Sequence, residues 1–334
     1  MAPRESSSVT MADVARQAGV SRALVSIVMR DVPGASAETR AHVRRVAAEM
    51  GYQPDQRARL LGRSRSRTIG VVFELRGEFH SGLLERLYTV ADSSDYELIL
   101  SPSAPSRPEV VSVRSLLAYR CESLILIGSR LPAAALDELG EKVPVVVVAR
   151  PARGARVDVV RTDDVRGARM AVDHLVGLGH TDVVHVDGGD APGATERRRG
   201  YRAAMRAHGL ADRIRLVHGE RTERDGELAA HDLLTSGLPT AVTAFNDSCA
   251  SGMMAVLRRQ GVTIPDQLSL VGFDDATIAG LESVSLSTIA QDTAALADAA
   301  LDRAITRIES RSSEPMETVL QPRLVVRSTT VPIR

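Results

Sequence analysis

Two adjacent carboxylates, Asp274 and Asp275, close the apolar run Ser269 to Phe273, and a second polar pair, Asn246 and Asp247, closes the run Ala241 to Phe245. Paired acids at a strand end could serve as general acid and base, but no nucleophile or metal partner accompanies them. The sequence has no GxGxxG after a strand, no GxxxxGK[ST], no HExxH and no GxSxG, so the fingerprints of nucleotide binding, zinc hydrolysis and acyl transfer are absent. Gly188-Gly189-Asp190 with Gly193 forms a loop that could meet a ligand, although a plain strand-to-helix connection explains it better than a phosphate cradle. Cys121 and Cys249 stand far apart with no Cys or His at ligand spacing, which argues against a disulfide framework or zinc site and fits a reducing compartment. Binding is the chemistry that remains, with no cofactor and no metal. Open α/β sheets take ligands at the carboxyl ends of their strands, where Asn246 and Asp274 fall. Helix capping by Asn246 and a turn or lobe-contact role for Asp274 are the bland alternatives.

These residues need a scaffold, and the pattern supplies one. From Thr68 onward, short apolar runs alternate with amphipathic segments: Ile69 to Leu75, Glu97 to Leu100, Leu124 to Ile127, Val143 to Ala149 and Val157 to Arg161, then Val183 to Val186, Arg215 to Val217, Ala241 to Phe245 and Ser269 to Phe273. Alternation of this kind predicts parallel βαβ sheets. The helical gap after Thr162 and the two similar series favour two doubly wound lobes over one sheet of nine strands. Residues 1 to 8 lack an apolar signal core and Val143 to Ala149 is too short to span a bilayer, so a cytoplasmic protein with no membrane contact is expected.

The net charge of zero hides an asymmetry. Residues 1 to 67 carry 12 arginines against 6 acidic residues, a net +6, which leaves −6 for the remainder. A small basic module on a larger acidic one suggests that the first meets a polyanion. Within it, Thr10 with Asp13 reads as a helix cap, Met11, Val14, Ala15 and Ala18 follow at helical spacing, and Gly19 stops the helix. Ser21 then caps a second helix with Leu24, Val25, Val28 and Met29 on its apolar face, leaving Arg22, Ala23, Ser26 and Ile27 outward. Two helices joined by so short a turn match a helix-turn-helix, whose second helix fits the major groove; an ordinary helical hairpin is the alternative. A third helix runs from the cap Ser36 to Gly51. A short helical stretch, Asp55 to Leu61, precedes the Arg-rich linker Gly62 to Arg67.

Val9 to Ala15, Ala18-Gly19-Val20-Ser21, Val25-Ser26, Val32 to Thr39 and Gly51-Tyr52-Gln53-Pro54 resemble the head of the LacI/GalR repressor family. The resemblance implies that Arg22 and Ala23 open the base-reading surface with Ile27 one turn later, and that Thr10, Ser21, Ser26 and Arg30 also lie against DNA. It further implies a hinge helix entering the minor groove, with Leu61 as the wedge, Ala58 as the small residue before it and Arg59 between them. Leu24, Ile27 and Arg30 depart from the family's usual residues. Arg22 could donate two hydrogen bonds to guanine, whereas Ala23 and Ile27 offer apolar contact only.

The resemblance continues through Val172-Asp173-His174-Leu175, Leu178-Gly179-His180, Glu196 to Tyr201, Phe245-Asn246-Asp247, Pro265 to Asp275, Ser287 to Gln291 and Val325 to Thr329. This part looks like the family's effector domain, itself similar to periplasmic sugar-binding proteins. It implies an effector site of Asn246 and Asp274 joined by Phe79, His80, Arg197, Arg221 and Gln291. Ala149 stands where many sugar-responsive relatives have Asp, and Arg221 where they have an aromatic platform. Arg221 could stack on a planar ring, pair with a carboxylate or phosphate, or be exposed loop.

The expected organisation is a helix-turn-helix head over residues 1–54, a hinge helix and linker over 55–67, and an α/β effector and dimerisation domain over 68–334. The latter divides into lobe 1, about 68–162 and 292–320, and lobe 2, about 163–291 and 321–334. The expected function is that of a homodimeric regulator, a repressor by family habit, which binds a palindromic operator and responds to a sugar or sugar derivative. A solute-binding protein would explain the body but needs a signal peptide where this chain has a helix-turn-helix. An enzyme using Asp274, Asp275 and His80 would need a turnover motif that is missing.

Overall fold

The computed structural model describes residues 9–29, 31–52, 65–75, 78–152, 156–310 and 314–333. The chain divides into two compact units, residues 1–66 and 67–334.

The first unit contains α1 (Met11–Gln17), α2 (Arg22–Met29) and α3 (Ala37–Glu49). Thr10 and Asp13 form a reciprocal cap: the Thr10 amide donates to the Asp13 carboxylate at 3.0 Å, and the Asp13 amide to the Thr10 hydroxyl at 3.3 Å. Gly19 turns the chain at φ +66°, and Ser21 accepts from the Leu24 amide at 3.1 Å to begin α2. Ser36 caps α3 through the Thr39 amide at 3.2 Å. Val14, Val25 and Val43, one from each helix, are fully buried together. Burying a valine side chain contributes roughly 1.5–3 kcal/mol, so this small centre closes around them. Leu24 was expected on the same face but is half-buried and stands outside that cluster.

The second unit is built from two sheets. In the first lobe β1 (Thr68–Glu74), β2 (Glu97–Ser103), β3 (Ser123–Ile127), β4 (Val145–Val148), β5 (Asp158–Thr162) and β11 (Glu317–Leu320) form an all-parallel sheet in the order β11-β5-β4-β3-β1-β2. Helices α4 (Glu78–Ala91), α5 (Glu109–Ala118), α6 (Ala133–Lys142) and α11 (Thr293–Glu309) belong with it. In the second lobe β6 (Val183–Asp187), β7 (Arg215–His218), β8 (Ala241–Thr243), β9 (Ser269–Asp274), β10 (Ser287–Ala290) and β12 (Arg323–Val325) are ordered β12-β10-β9-β8-β6-β7, with β12 antiparallel. Its helices are α7 (Asp164–Gly177), α8 (Ala194–Ala207), α9 (Glu223–Ser236) and α10 (Asp247–Arg259). The chain passes between the sheets after Thr162, after Ala290 and after Leu320.

β10, β11 and β12 are additions to the nine runs expected. Two of the four buried residues of β10 are hydroxyl-bearing, Ser287 and Thr288, and Thr288 reaches Asp247 Oδ1 at 2.6 Å, so hydrophobicity alone does not mark this strand. β11 and β12 lie at sheet edges and are only half-buried. Helices α9 and α10 cross closely because both carry glycine at the crossing. A Cβ on Gly226 would fall 2.0 Å from the Cys249 carbonyl oxygen, and one on Gly252 would fall 1.9 Å from that of Glu223.

Candidate functional site

Residues that follow β1, β3 and β4 in the first lobe, and β6 to β10 in the second, line one cavity of about 340 Å³. Parallel strands present their carboxyl ends and the following loops to such crevices. All seven residues expected at an effector site, Phe79, His80, Arg197, Arg221, Asn246, Asp274 and Gln291, lie on its wall.

Arg197 organises the second-lobe side. It projects from the first turn of α8 and is only 6% exposed. Its Nε donates to Asp164 Oδ1 at 2.9 Å, one terminal nitrogen donates to the Phe245 carbonyl at 2.6 Å, and the other reaches Asp274 Oδ1 at 3.5 Å. The guanidinium lies 3.5 Å from the Phe273 ring centroid and 4.7 Å from that of Phe245, a cation–π arrangement worth more as water is excluded. A guanidinium has five N–H groups, so two remain beyond these three bonds. Asp274 is held in turn by Gln291, whose Nε2 donates to Oδ1 at 2.7 Å.

Two carboxyls thus share one guanidinium, and a third, Asp247, lies close to Asp274. Burial raises Asp164 to about 6 against the opposing pull of Arg197. Burial likewise raises Asp274, again opposed by Arg197. Asp247 is pushed up to about 8, first by burial and then by the Asp274 charge; it accepts from Thr288 and from the Ala276 amide at 2.8 Å. Behind them His185 is lowered to about 3 by burial and then by Arg197.

Asn246 is on the cavity wall, but its amide serves the protein. Oδ1 caps α10 by accepting from the Cys249 amide at 2.8 Å, and Nδ2 donates to the Arg221 carbonyl at 3.0 Å. The capping alternative is therefore what the structure contains, and Asn246 acts on the cavity by holding the Arg221 loop. Arg221 is neither exposed loop nor an open platform: its fork grips Glu74 of β1, across the cleft, with the second contact at 2.7 Å. In the sequence Glu74 is inconspicuous, because it lies inside the apolar run Ile69 to Leu75. β1 nevertheless ends at Glu74 as β9 ends at Asp274, so a strand end is the signal that both share. Asp164, one residue beyond its helix cap, carried no such signal.

In the three-helix unit, Thr10, Ser21, Arg22 and Ala23 are exposed, while Ser26 and Ile27 are half-buried. Ile27 is not simply outward, since its side chain lies against Gly34. Arg30, Ala58, Arg59 and Leu61 fall outside the described residues. Among the described residues, no helix is long and apolar enough to cross a membrane.

A capped helix-turn-helix in one unit and a ligand-sized cleft between two α/β lobes in the other define a regulator that answers to a small molecule. Residues 10–55 match the model of bacterial regulatory proteins of the lacI family, and residues 172–330 match the periplasmic binding protein-like domain. The chain is 32% identical to the HTH-type transcriptional regulator GalR of Escherichia coli (strain K12) over 324 residues, 95% of this chain and 94% of that protein. The lac repressor dimer bound to operator and the anti-inducer ONPF superposes with a TM-score of 0.85 at 26% identity, over 97% of this chain and all of that one. A LacI family transcriptional regulator from Enterococcus faecium with bound ribose gives 0.73 at 26% identity, over 80% of this chain and all of that one. The chain belongs to the LacI family and is a DNA-binding transcriptional regulator controlled by a small-molecule effector.

Proposed function

We propose that this regulator is a cytoplasmic homodimeric repressor, which holds a palindromic operator through residues 1–54 and a hinge over 55–67. In this reading residues 68–334 bind a sugar or sugar derivative between lobes 68–162 with 292–320 and 163–291 with 321–334. The observation that carries the effector reading is the convergence of Arg197, Asp274 and Gln291 on one wall of a cavity with Phe79 and His80 opposite. Donors and acceptors so arranged suit several hydroxyls of a polyol, and burial makes each unmet partner costly. Support for a carbohydrate and for a dimer on DNA comes from the ribose-bound and operator-bound relatives.

On the DNA side Arg22, Ala23, Ser26 and Ile27 face the major groove, Thr10, Ser21 and Arg30 flank them, and Ala58, Arg59 and Leu61 enter the minor groove. Leu61 unstacks the central base step, which costs a few kcal/mol and is repaid by bending. Titration calorimetry with a sugar panel, run beside a mobility-shift assay on operator fragments selected from random DNA, tests the whole reading. A two-fold symmetric site whose occupancy changes with a bound sugar is the expected result. Sites without symmetry, or sugar binding that leaves operator affinity unchanged, would refute it.

A further inference from the structure

Glu74, at the end of β1, and Arg221, in the loop after β7, join the two lobes across the cleft through two hydrogen bonds. The two side chains are 20% and 25% exposed, so the pair is largely withdrawn from water. The Arg221 backbone is pinned on both sides: its amide donates to Asp225 at 3.2 Å and its carbonyl accepts from Asn246. The fork is consequently presented in a set position, and the atoms it is presented to are the two oxygens of Glu74.

The other arginine on the cavity wall, Arg197, is equally engaged, between Asp164 and Asp274. The wall carries three carboxylates, Glu74, Glu223 and Asp274, against these two guanidiniums. An incoming carboxylate or phosphate would meet no arginine without a carboxylate partner. To reach Arg221 it must displace Glu74 and leave that carboxylate unpaired in a half-buried cleft, which is costly. A neutral polyol faces no such exchange, because each oxygen of Glu74 keeps a lone pair able to accept a hydroxyl.

Resting on the reading of this cavity as the effector site, we infer that Glu74 is a specificity-determining residue: by occupying Arg221 it makes the cleft select uncharged polyhydroxylated ligands over anionic ones. Arg221 supplies latent anion affinity that Glu74 masks. Removing the Glu74 charge without changing its shape exposes that affinity.

The test is titration calorimetry on the full chain, its Glu74→Gln variant and the Glu74→Gln/Arg221→Gln double variant, with melting curves confirming the fold. The probes are inorganic phosphate, glucose, glucuronate and glucose 6-phosphate. The unaltered chain should show no saturable phosphate binding, and should favour glucose over both anionic sugars by on the order of tenfold. Glu74→Gln should acquire saturable phosphate binding and narrow or reverse the sugar preference, and the double variant should lose both gains. If no sugar binds any variant but phosphate behaves as described, the carbohydrate reading fails while the role of Glu74 stands. Should Glu74→Gln melt early, Arg221→Gln gives the mirror test, since the exposed Glu74 charge should then favour glucosamine over glucose. Phosphate or glucuronate binding the unaltered chain more tightly than glucose would overturn the inference, as would a Glu74→Gln variant with no gain in anion binding.

Discussion

The guanidinium of Arg197 lies 3.5 Å from the centroid of the Phe273 ring while bonding Asp164 on one side and reaching Asp274 on the other. The same side chain therefore closes the second-lobe core and forms the cavity wall. Fold stability and ligand affinity are coupled at this residue, and substitutions around it separate the two.

Arg197→Met strips the counter-charge from two buried carboxyls and should destabilise the second unit by about 3–5 kcal/mol, as expected when one partner of a buried ion pair is removed. Asp274→Asn keeps an acceptor for Gln291 and relieves the crowding of carboxyls. It should leave urea stability within about 1 kcal/mol and lower effector affinity roughly tenfold, the cost of one charged hydrogen bond. Urea denaturation and calorimetry on both variants check this; equal stability loss in the two would contradict it.

Asp247 should make stability fall as pH rises above 6.5. Its folded-state pKa of about 8 lies above the ordinary 3.8, so between those values the folded chain binds more protons than the unfolded one, and raising pH favours unfolding. Asp164, at about 6, has the same sign over a lower window, and His185, lowered to about 3, has the opposite sign below 6.5. From pH 6.5 to 8 Asp247 dominates these three, and the expected loss is about 1–2 kcal/mol. Denaturant titrations at the two pH values should show it in the unaltered chain and not in Asp247→Asn.

Gly252→Ala places a methyl 1.9 Å from the Glu223 carbonyl oxygen and must push α10 away from α9. Overpacking of this kind typically costs about 1–3 kcal/mol. Because Thr222 and Glu223 line the cavity, effector affinity should fall along with the melting temperature. A lowered melting point with unchanged affinity would show that the α9 start moves independently of the cavity.

On the three-helix unit, Thr10→Ala removes one half of the reciprocal cap and should cost about 0.5–2 kcal/mol of its stability. Arg22→Ala touches no core residue, since Arg22 is exposed, and should leave melting unchanged. It should weaken operator binding by about 1–3 kcal/mol and relax preference at one base pair in each half-site. Leu61→Ala should reduce operator affinity and bend angle while the effector response of the body persists. Fluorescence anisotropy on matched and single-base-changed operators separates the first two variants, and a permuted-fragment bend assay reads the third.

Local signals settled much of this molecule. Thr10, Ser21 and Ser36 mark their helix starts because capping is a bond within three residues of the chain. The two-lobed α/β class was legible because buried parallel strands need unbroken apolar runs. Asn246 and Asp274 were legible because they follow such runs directly. What the tertiary structure alone decided lies in contacts between distant segments. Asn246 spends its amide on Cys249 and Arg221, so its position in sequence did not reveal its employment. Arg221 meets Glu74, a residue 147 positions away in another lobe, and no spacing rule connects them. β10 hides because Ser287 and Thr288 are buried through hydroxyl bonds to Thr330 and Asp247. Hydrophobicity reads what a residue would do by itself in water, whereas burial of a polar group depends on which partner the fold brings to it.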